Sequence, residues 1–102
     1  MALKPIQFRV SDDVHAALQA QATRENRAMG RVLGDDILNV TVDDILKAIR
    51  ARAESTSPPK ELTKKTQLLI PPEAIAKLKA LATLTGINSE FLIRLTMEAK
   101  RL

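Results

Sequence analysis

The sequence contains no cysteine, tryptophan or tyrosine, and its one histidine is His15. Disulfides, thiolate chemistry and cysteine-held zinc are therefore excluded, and one histidine cannot build a histidine-rich metal site. No stretch approaches the roughly 20 consecutive apolar residues that span a bilayer, and the first residues lack the apolar run of a signal peptide. We therefore expect a cytoplasmic protein that does not enter a membrane and holds no metal or cofactor.

The charged residues of the sequence also show no arrangement typical of a catalytic site. Two acidic pairs, Asp35 with Asp36 and Asp43 with Asp44, fall near expected helix starts or exposed turns. No nucleophile, base and orienting residue can be assigned around them. We interpret these carboxylates as capping and solubility residues, and we predict that the protein is not an enzyme.

The charge that is present is basic and unevenly spread. The 102 residues carry a formal net charge of +4. Up to Glu54 eight basic side chains face eight acidic ones, whereas from Ser55 onward eight basic side chains face four acidic ones. A chain of this length forms one modest domain, and a basic excess fits a polyanionic partner.

The clearest local pattern is an alternation near the start, in KPIQFRVSDD. Ile6, Phe8 and Val10 are apolar, whereas Gln7 and Arg9 between them are polar. A period of two predicts a strand with one face on a core and one face in solvent. Because a single strand leaves its backbone groups unpaired, a partner strand is required.

An internal repeat at an offset of 60 residues supplies that partner. Residues 8–33, FRVSDDVHAALQAQATRENRAMGRVL, align without gaps with residues 68–93, LLIPPEAIAKLKALATLTGINSEFLI. In each copy a strand runs into a helix that ends at a residue tolerant of positive φ, Asn26 or Gly86. A second helix follows in both, so each copy is predicted to be strand, helix, helix.

The start signals of the helices support the same order. Ser11 is a candidate N-cap in the first copy, and Pro71 and Pro72 suit the corresponding start in the second. Asn88 or Ser89 would cap the second helix of the second copy.

Two segments lie outside the aligned residues. TVDDILKAIRARA, residues 41–53, starts with a capping-type threonine and has apolar side chains at helical spacing, which predicts an extra helix. This helix would cover exposed core, bind a second protomer or bind another protein. ESTSPPKELTKK has the composition of a solvated linker. We therefore divide the chain into a first unit with the extra helix (1–53), a linker (54–64) and a second unit (65–102).

The predicted fold is mostly α with a short two-stranded antiparallel β-ribbon. Strand 5–10 can pair with strand 65–70 of the same chain or with its own copy in a second chain. The linker reaches roughly 35 Å when extended, enough to return the chain to the ribbon. We prefer one intramolecular pseudo-dimeric domain to a homodimer. Pairing of unlike copies would present an asymmetric ribbon and favour an asymmetric binding site on the partner, whereas pairing of like copies between chains would give a symmetric dimer and an approximately symmetric site.

The two copies resemble a known family. TQLLIPPEAIAKLKALATLTGINSEFLIRLTMEA, residues 66–99, resembles a ribbon-helix-helix DNA-binding unit, and IQFRVSDDVHAALQAQATRENRAMGRVLGDDIL, residues 6–38, is similar. The family includes the Arc and MetJ repressors. Two copies in one chain further resemble TraY-type accessory proteins that bind a plasmid's transfer origin. The resemblance implies sequence-specific binding of double-stranded DNA, as a transcriptional repressor or as a plasmid transfer or maintenance factor.

The resemblance also implies two kinds of DNA contact. Outward side chains of the ribbon read base edges in the major groove, and the start of each second helix holds a phosphate. Carried over, the base-reading positions are Pro5, Gln7, Arg9, Lys65, Gln67 and Leu69, and the phosphate-binding positions are Met29, Gly30, Arg31, Asn88 and Ser89, with Lys4 and Lys64 flanking the strands. Glu90, beside the last of these, is expected to point away from a phosphate.

The second copy departs from the family pattern at two positions. Thr66 stands where an inward apolar residue is expected, and Leu69 stands where an outward polar residue is expected. Leu69 would touch a thymine methyl or mark a ribbon that packs on protein. Two other functions stay open, namely an antitoxin that binds DNA and a toxin, and an interaction module that does not bind DNA. A relaxase or a toxin is the protein partner to expect, and a higher oligomer on DNA is compatible with each DNA-binding role.

Overall fold

The structure, a computed structural model, describes residues 2–55 and 61–101. Five helices and two strands follow one another within these residues: β1 (Lys4–Val10), α1 (Asp12–Arg24), α2 (Met29–Asn39), α3 (Val42–Glu54), β2 (Lys64–Ile70), α4 (Pro72–Thr85) and α5 (Ser89–Arg101). The prediction of a mostly helical chain with a two-stranded antiparallel sheet is confirmed. Part of the predicted linker, residues 56–60, lies outside the described residues. In the described ranges no helix combines the length and the apolar content needed to cross a bilayer.

The two strands pair with each other inside one chain. β1 runs antiparallel to β2, and Gln7 lies opposite Gln67 at the centre of the ribbon. Phe8 and Val10 of β1 and Ile70 of β2 are buried, as an alternating strand requires. The helices cover this inner face, since a two-stranded ribbon is marginal in water on its own.

Corresponding elements begin 60 residues apart. β1 and β2 start at Lys4 and Lys64, α1 and α4 at Asp12 and Pro72, and α2 and α5 at Met29 and Ser89. The two residues predicted to tolerate positive φ do adopt it: Asn26 has φ 53° after α1, and Gly86 has φ 72° after α4. Positive φ closes a helix end with little strain only at residues of this kind.

Helix α3 starts with the capping residue that the sequence indicates. The Asp44 backbone N–H donates to Thr41 Oγ1 at 3.1 Å, and the Thr41 backbone N–H donates to Asp44 Oδ2 at 3.0 Å. These two bonds are a capping box, and the interpretation of Asp44 as a capping residue is confirmed. α3 packs against α5 and buries Ile45 and Ala48. Of the three roles considered for this helix, covering the core is therefore the one that the fold displays.

A cluster of side chains fixes α3 to α5. Arg52 donates to both carboxylate oxygens of Glu98, at 2.8 and 3.0 Å. The same guanidinium lies 4.9 Å from the centre of the Phe91 ring, within the range of a cation–π contact. The extra helix is thus attached to the second half of the chain.

Helix α2 lies at the centre of the molecule, where it packs against α1, α4, α5 and β2. Leu33 and Ile37 of α2 are fully buried. Two glycines allow its close approach to the second half. A Cβ at Gly30 would overlap the backbone carbonyl oxygen of Leu69, and a Cβ at Gly34 would lie 2.7 Å from Pro71 Cδ.

Two lysines satisfy the carboxyl end of α2. Lys77 Nζ donates to the carbonyl oxygens of Leu38 at 2.7 Å and Val40 at 2.5 Å. Lys100 Nζ lies 3.4 Å from the carbonyl oxygen of Asn39. A cation here complements both the open carbonyl groups and the negative end of the helix dipole. Burial lowers the pKa of the Lys77 ammonium, and the charge of Lys100 acts in the same direction.

Pairing within one chain predicts how stability depends on concentration. Because β1 and β2 belong to the same molecule, we expect the thermal unfolding midpoint to stay constant over about a hundredfold range of protein concentration, whereas a homodimer gains stability by mass action. Circular dichroism melts would measure the midpoint, and light scattering would give the mass. A midpoint that rises with concentration, together with a dimer mass, would show that the strands pair between chains.

Candidate nucleic-acid interface

The outward face of the ribbon presents six exposed side chains in three cross-strand pairs. The register places Gln7 opposite Gln67, Arg9 opposite Lys65, and Pro5 opposite Leu69. All six side chains are exposed, including Leu69 at 54%. The structure therefore brings every predicted base-reading position onto one surface, which we call the ribbon face.

The central pair of the ribbon face is joined by a hydrogen bond. Gln7 Nε2 donates to Gln67 Oε1 at 3.3 Å. The two amides are directly opposite, where side chains of an antiparallel pair come closest. One amide N–H of Gln7 and one acceptor site of Gln67 are used, so both amides keep donors and acceptors for a ligand.

Thr66 occupies an inward position despite its hydroxyl. It is 6% exposed and lies opposite Phe8. Its Oγ1 donates to the Lys64 carbonyl oxygen of its own strand at 3.4 Å, a long bond. The ribbon therefore keeps its alternation through this residue, and Thr66 does not disturb the register of the outward side chains.

The outer edge of β1 is held by α5 at Arg9. The Arg9 backbone N–H donates to Glu90 Oε1 at 2.9 Å, and its carbonyl oxygen accepts from Arg94 Nη1 at 3.2 Å. Arg94 also donates to Glu90 Oε1 at 3.1 Å. These three bonds fix the backbone from which the Arg9 side chain projects.

This edge contact also explains why proline is tolerated in β1. Backbone groups of a strand point alternately to its two edges, so those of Pro5 face the same outer edge as those of Arg9. The missing N–H of Pro5 therefore removes no bond to β2.

Sequence patterns did not indicate Glu90 and Arg94 as residues that support the ribbon. Glu90 was expected only as a first-turn acid pointing away from a phosphate. Its side chain is instead directed to the Arg9 backbone, 81 positions away in the sequence. The sequence shows only that Glu90 and Arg94 are oppositely charged and four residues apart on one helix. Such pairs are common on exposed helix faces and do not indicate a contact with a strand.

The starts of α2 and α5 lie beside opposite ends of the ribbon. α2 touches β2 where Gly30 meets the Leu69 backbone, and α5 touches β1 where Glu90 meets Arg9. Among the predicted phosphate-binding residues of α2, Gly30 is buried, Met29 is partly buried and Arg31 is exposed. Arg31 is therefore the side chain of this group that is most open to a ligand.

The two helix starts differ in capping. At α5 the side-chain oxygen of Asn88 accepts from the Phe91 backbone N–H at 2.8 Å, which confirms Asn88 as the cap. At α2 the N-cap residue is Ala28, whose side chain makes no cap bond. The first N–H groups of α2 therefore lack the side-chain partner that Asn88 provides in α5. Ser89, the other predicted residue of α5, is partly buried.

Three further basic residues lie at the ribbon ends or near the start of α2. Lys4 is paired with Ile70 and Lys64 with Val10, and both lysines are exposed. Arg27 forms ion pairs with Asp35 and Glu25. The interpretation of Asp35 as a capping and solubility residue was therefore incomplete. The hydrogen bond that the Arg27 guanidinium donates to Asp35 raises the pKa of Arg27 above its ordinary value.

Neither a metal cluster nor a relative adds to this description. In the part of the chain that the structure describes, no group of three or more His, Asp or Glu side chains is placed to hold a metal ion. Comparison of the sequence and structure with family models, curated proteins and solved structures finds no match.

Proposed function

We propose that this chain is a tandem ribbon-helix-helix protein that binds double-stranded DNA through its β-ribbon, as a transcriptional repressor or as a plasmid transfer or maintenance factor. One observation carries the proposal. The ribbon buries one face under the helices and leaves Gln7, Arg9, Lys65 and Gln67 exposed together on the other. Amide and cationic side chains on an open two-stranded ribbon are the groups that hydrogen-bond base edges.

The tandem arrangement is supported by the element starts. Strand, first helix and second helix begin 60 residues apart in the two halves, and the residues of positive φ, Asn26 and Gly86, have the same spacing. Gln7 faces the residue 60 positions later, Gln67. A pseudo-twofold axis through this central pair relates the two strands, as in a ribbon formed by two copies of one unit.

The dimensions and the chemistry of the ribbon face suit the major groove. The groove is about 12 Å wide and admits a two-stranded ribbon, whose strands lie roughly 4.8 Å apart. Glutamine matches the N6 and N7 edge of adenine, and arginine or lysine matches O6 and N7 of guanine. Lys4, Lys64 and Arg31 lie around the ribbon where they would meet phosphates, which position a protein without reading sequence.

Fluorescence anisotropy with a mixed-sequence duplex across a salt series tests the proposal. We expect binding that weakens as salt rises, because phosphate contacts release counterions. The double variant Gln7→Ala, Arg9→Ala should bind at least about tenfold more weakly at equal salt, since it removes a base contact and a cation. The matched control is Arg50→Ala, which removes one positive charge from an exposed position on α3.

The control separates the ribbon face from a general charge effect. If Arg50→Ala weakened binding as much as the double variant, attraction to DNA would depend on net charge and the proposed face would be wrong. An absence of binding even at low salt would remove DNA from the proposal altogether.

A further inference from the structure

The ribbon face differs chemically between its two ends. Arg9 and Lys65 lie opposite each other and put both outward cations at one end, whereas Pro5 and Leu69 make the other end apolar. The Gln7 and Gln67 amides lie between them. From end to end the outward positions change from cationic, through amide, to apolar, and the exposed Lys4 flanks the apolar end from the next position of β1.

This polarity follows from pairing two unlike strands. If β1 paired with a second β1 around Gln7, each end would carry one Arg9 and one Pro5, and the ends would be equivalent. Pairing β1 with β2 places Arg9 opposite Lys65 and leaves no outward cation at the Pro5 end. The surface is therefore directional although the backbone is close to twofold symmetric.

Building on the DNA-binding role proposed above, we infer that the ribbon reads a directional, non-palindromic site with guanine under Arg9 and Lys65 and thymine methyls under Pro5 and Leu69. Arginine and lysine donate to O6 and N7 of guanine, and apolar side chains contact the C5 methyl group of thymine. The central amides match adenine. Four residue steps separate Pro5 from Arg9, about 14 Å of strand, which corresponds to about four base pairs.

The placement of the reading groups supports a defined order. Glu90 accepts from the Arg9 backbone N–H and Arg94 donates to the Arg9 carbonyl oxygen, so the cationic end is fixed relative to α5. At the apolar end Gly30 packs on the Leu69 backbone, so this residue is fixed relative to α2. Exposure of 54% leaves the Leu69 side chain free to meet a base edge.

Selection of bound duplexes from a randomised pool, followed by sequencing, tests the inference with the full chain. We expect a motif whose ends differ, with G·C at one end and A·T at the other. Leu69→Arg should change the A·T end to G·C with a preference of at least about fivefold, the lower limit for one good arginine–guanine pair. The G·C end should not change.

Leu84→Arg is the matched control, because Leu84 is 73% exposed and lies on α4 outside the ribbon. It adds the same charge and should leave the motif unchanged. Circular dichroism would establish that both variants fold.

Four results would overturn the inference. A palindromic motif, or a Leu69→Arg motif identical to the native one, would show that the ends are not read differently while DNA binding itself stands. Salt-sensitive binding without any enriched motif would likewise leave a DNA-binding protein whose ribbon does not read bases. A lack of binding at low salt would remove the DNA-binding role and the directional site together.

Discussion

Replacing Gly30 by alanine should lower the free energy of unfolding by about 3 kcal/mol, although alanine is the better helix former. Intrinsic propensity alone would favour the variant by up to about 1 kcal/mol. The added Cβ, however, would overlap the Leu69 carbonyl oxygen, a backbone atom of β2. Since a backbone cannot rotate away as a side chain can, α2 and β2 must separate, and overpacking of this kind costs at the upper end of roughly 1–3 kcal/mol.

Urea denaturation would measure this change, with Gly86→Ala as the comparison. At Gly86 no atom lies within 4 Å of the added Cβ, but φ is 72°. That variant should lose only about 1 kcal/mol, the cost of a left-handed conformation for alanine. Because propensity and overlap have opposite signs at Gly30, a Gly30→Ala protein as stable as the native one would mean that α2 does not rest on β2.

Leu33→Ala should cost about 2–5 kcal/mol, a large part of the roughly 5–15 kcal/mol that stabilises a domain. Leu33 is fully buried on the helix that packs against α1, α4, α5 and β2. Its truncation removes apolar contacts and leaves a cavity, which closes only if elements on several sides move inward.

The same denaturation measurement on Leu84→Ala supplies the control for Leu33→Ala. Leu84 is 73% exposed, so its truncation should change the free energy of unfolding by less than about 0.5 kcal/mol. Similar losses in the two variants would contradict the central position assigned to α2.

Local features of the fold were readable from the sequence because each depends on a few neighbouring residues. The alternation of Ile6, Phe8 and Val10 predicted the strand and its buried face. Asn26 and Gly86 indicated helix ends, and Thr41 indicated a helix start, since each acts on backbone groups within a few positions of itself. The outward positions Gln7 and Arg9 follow from the same alternation. The other outward positions came from the family resemblance, because Thr66 and Leu69 break the alternation in the second copy.

Contacts between distant residues were not readable. Periodicity says which side of a helix is apolar but not which element lies against it. Gly30 was therefore predicted only as a phosphate-binding residue, whereas in the fold its missing side chain lets the Leu69 backbone approach α2. Lys77 of α4 caps the end of α2 by donating to the backbone carbonyl oxygens of Leu38 and Val40. No sequence pattern indicates this contact, because every residue carries a backbone carbonyl.

The pairing of β1 with β2 also determines when the ribbon can form during synthesis of the chain. β2 starts 60 residues after β1, so at about 5–20 residues per second a ribosome delivers it about 3–12 s later. Through that interval Phe8 and Val10 have no second strand beside them, and neither does α2. The strand available to β1 is then the β1 of a neighbouring nascent chain, in which Gln7 would face Gln7. The translation rate and the density of ribosomes on the messenger RNA should therefore govern what fraction of this protein forms its ribbon within a single chain.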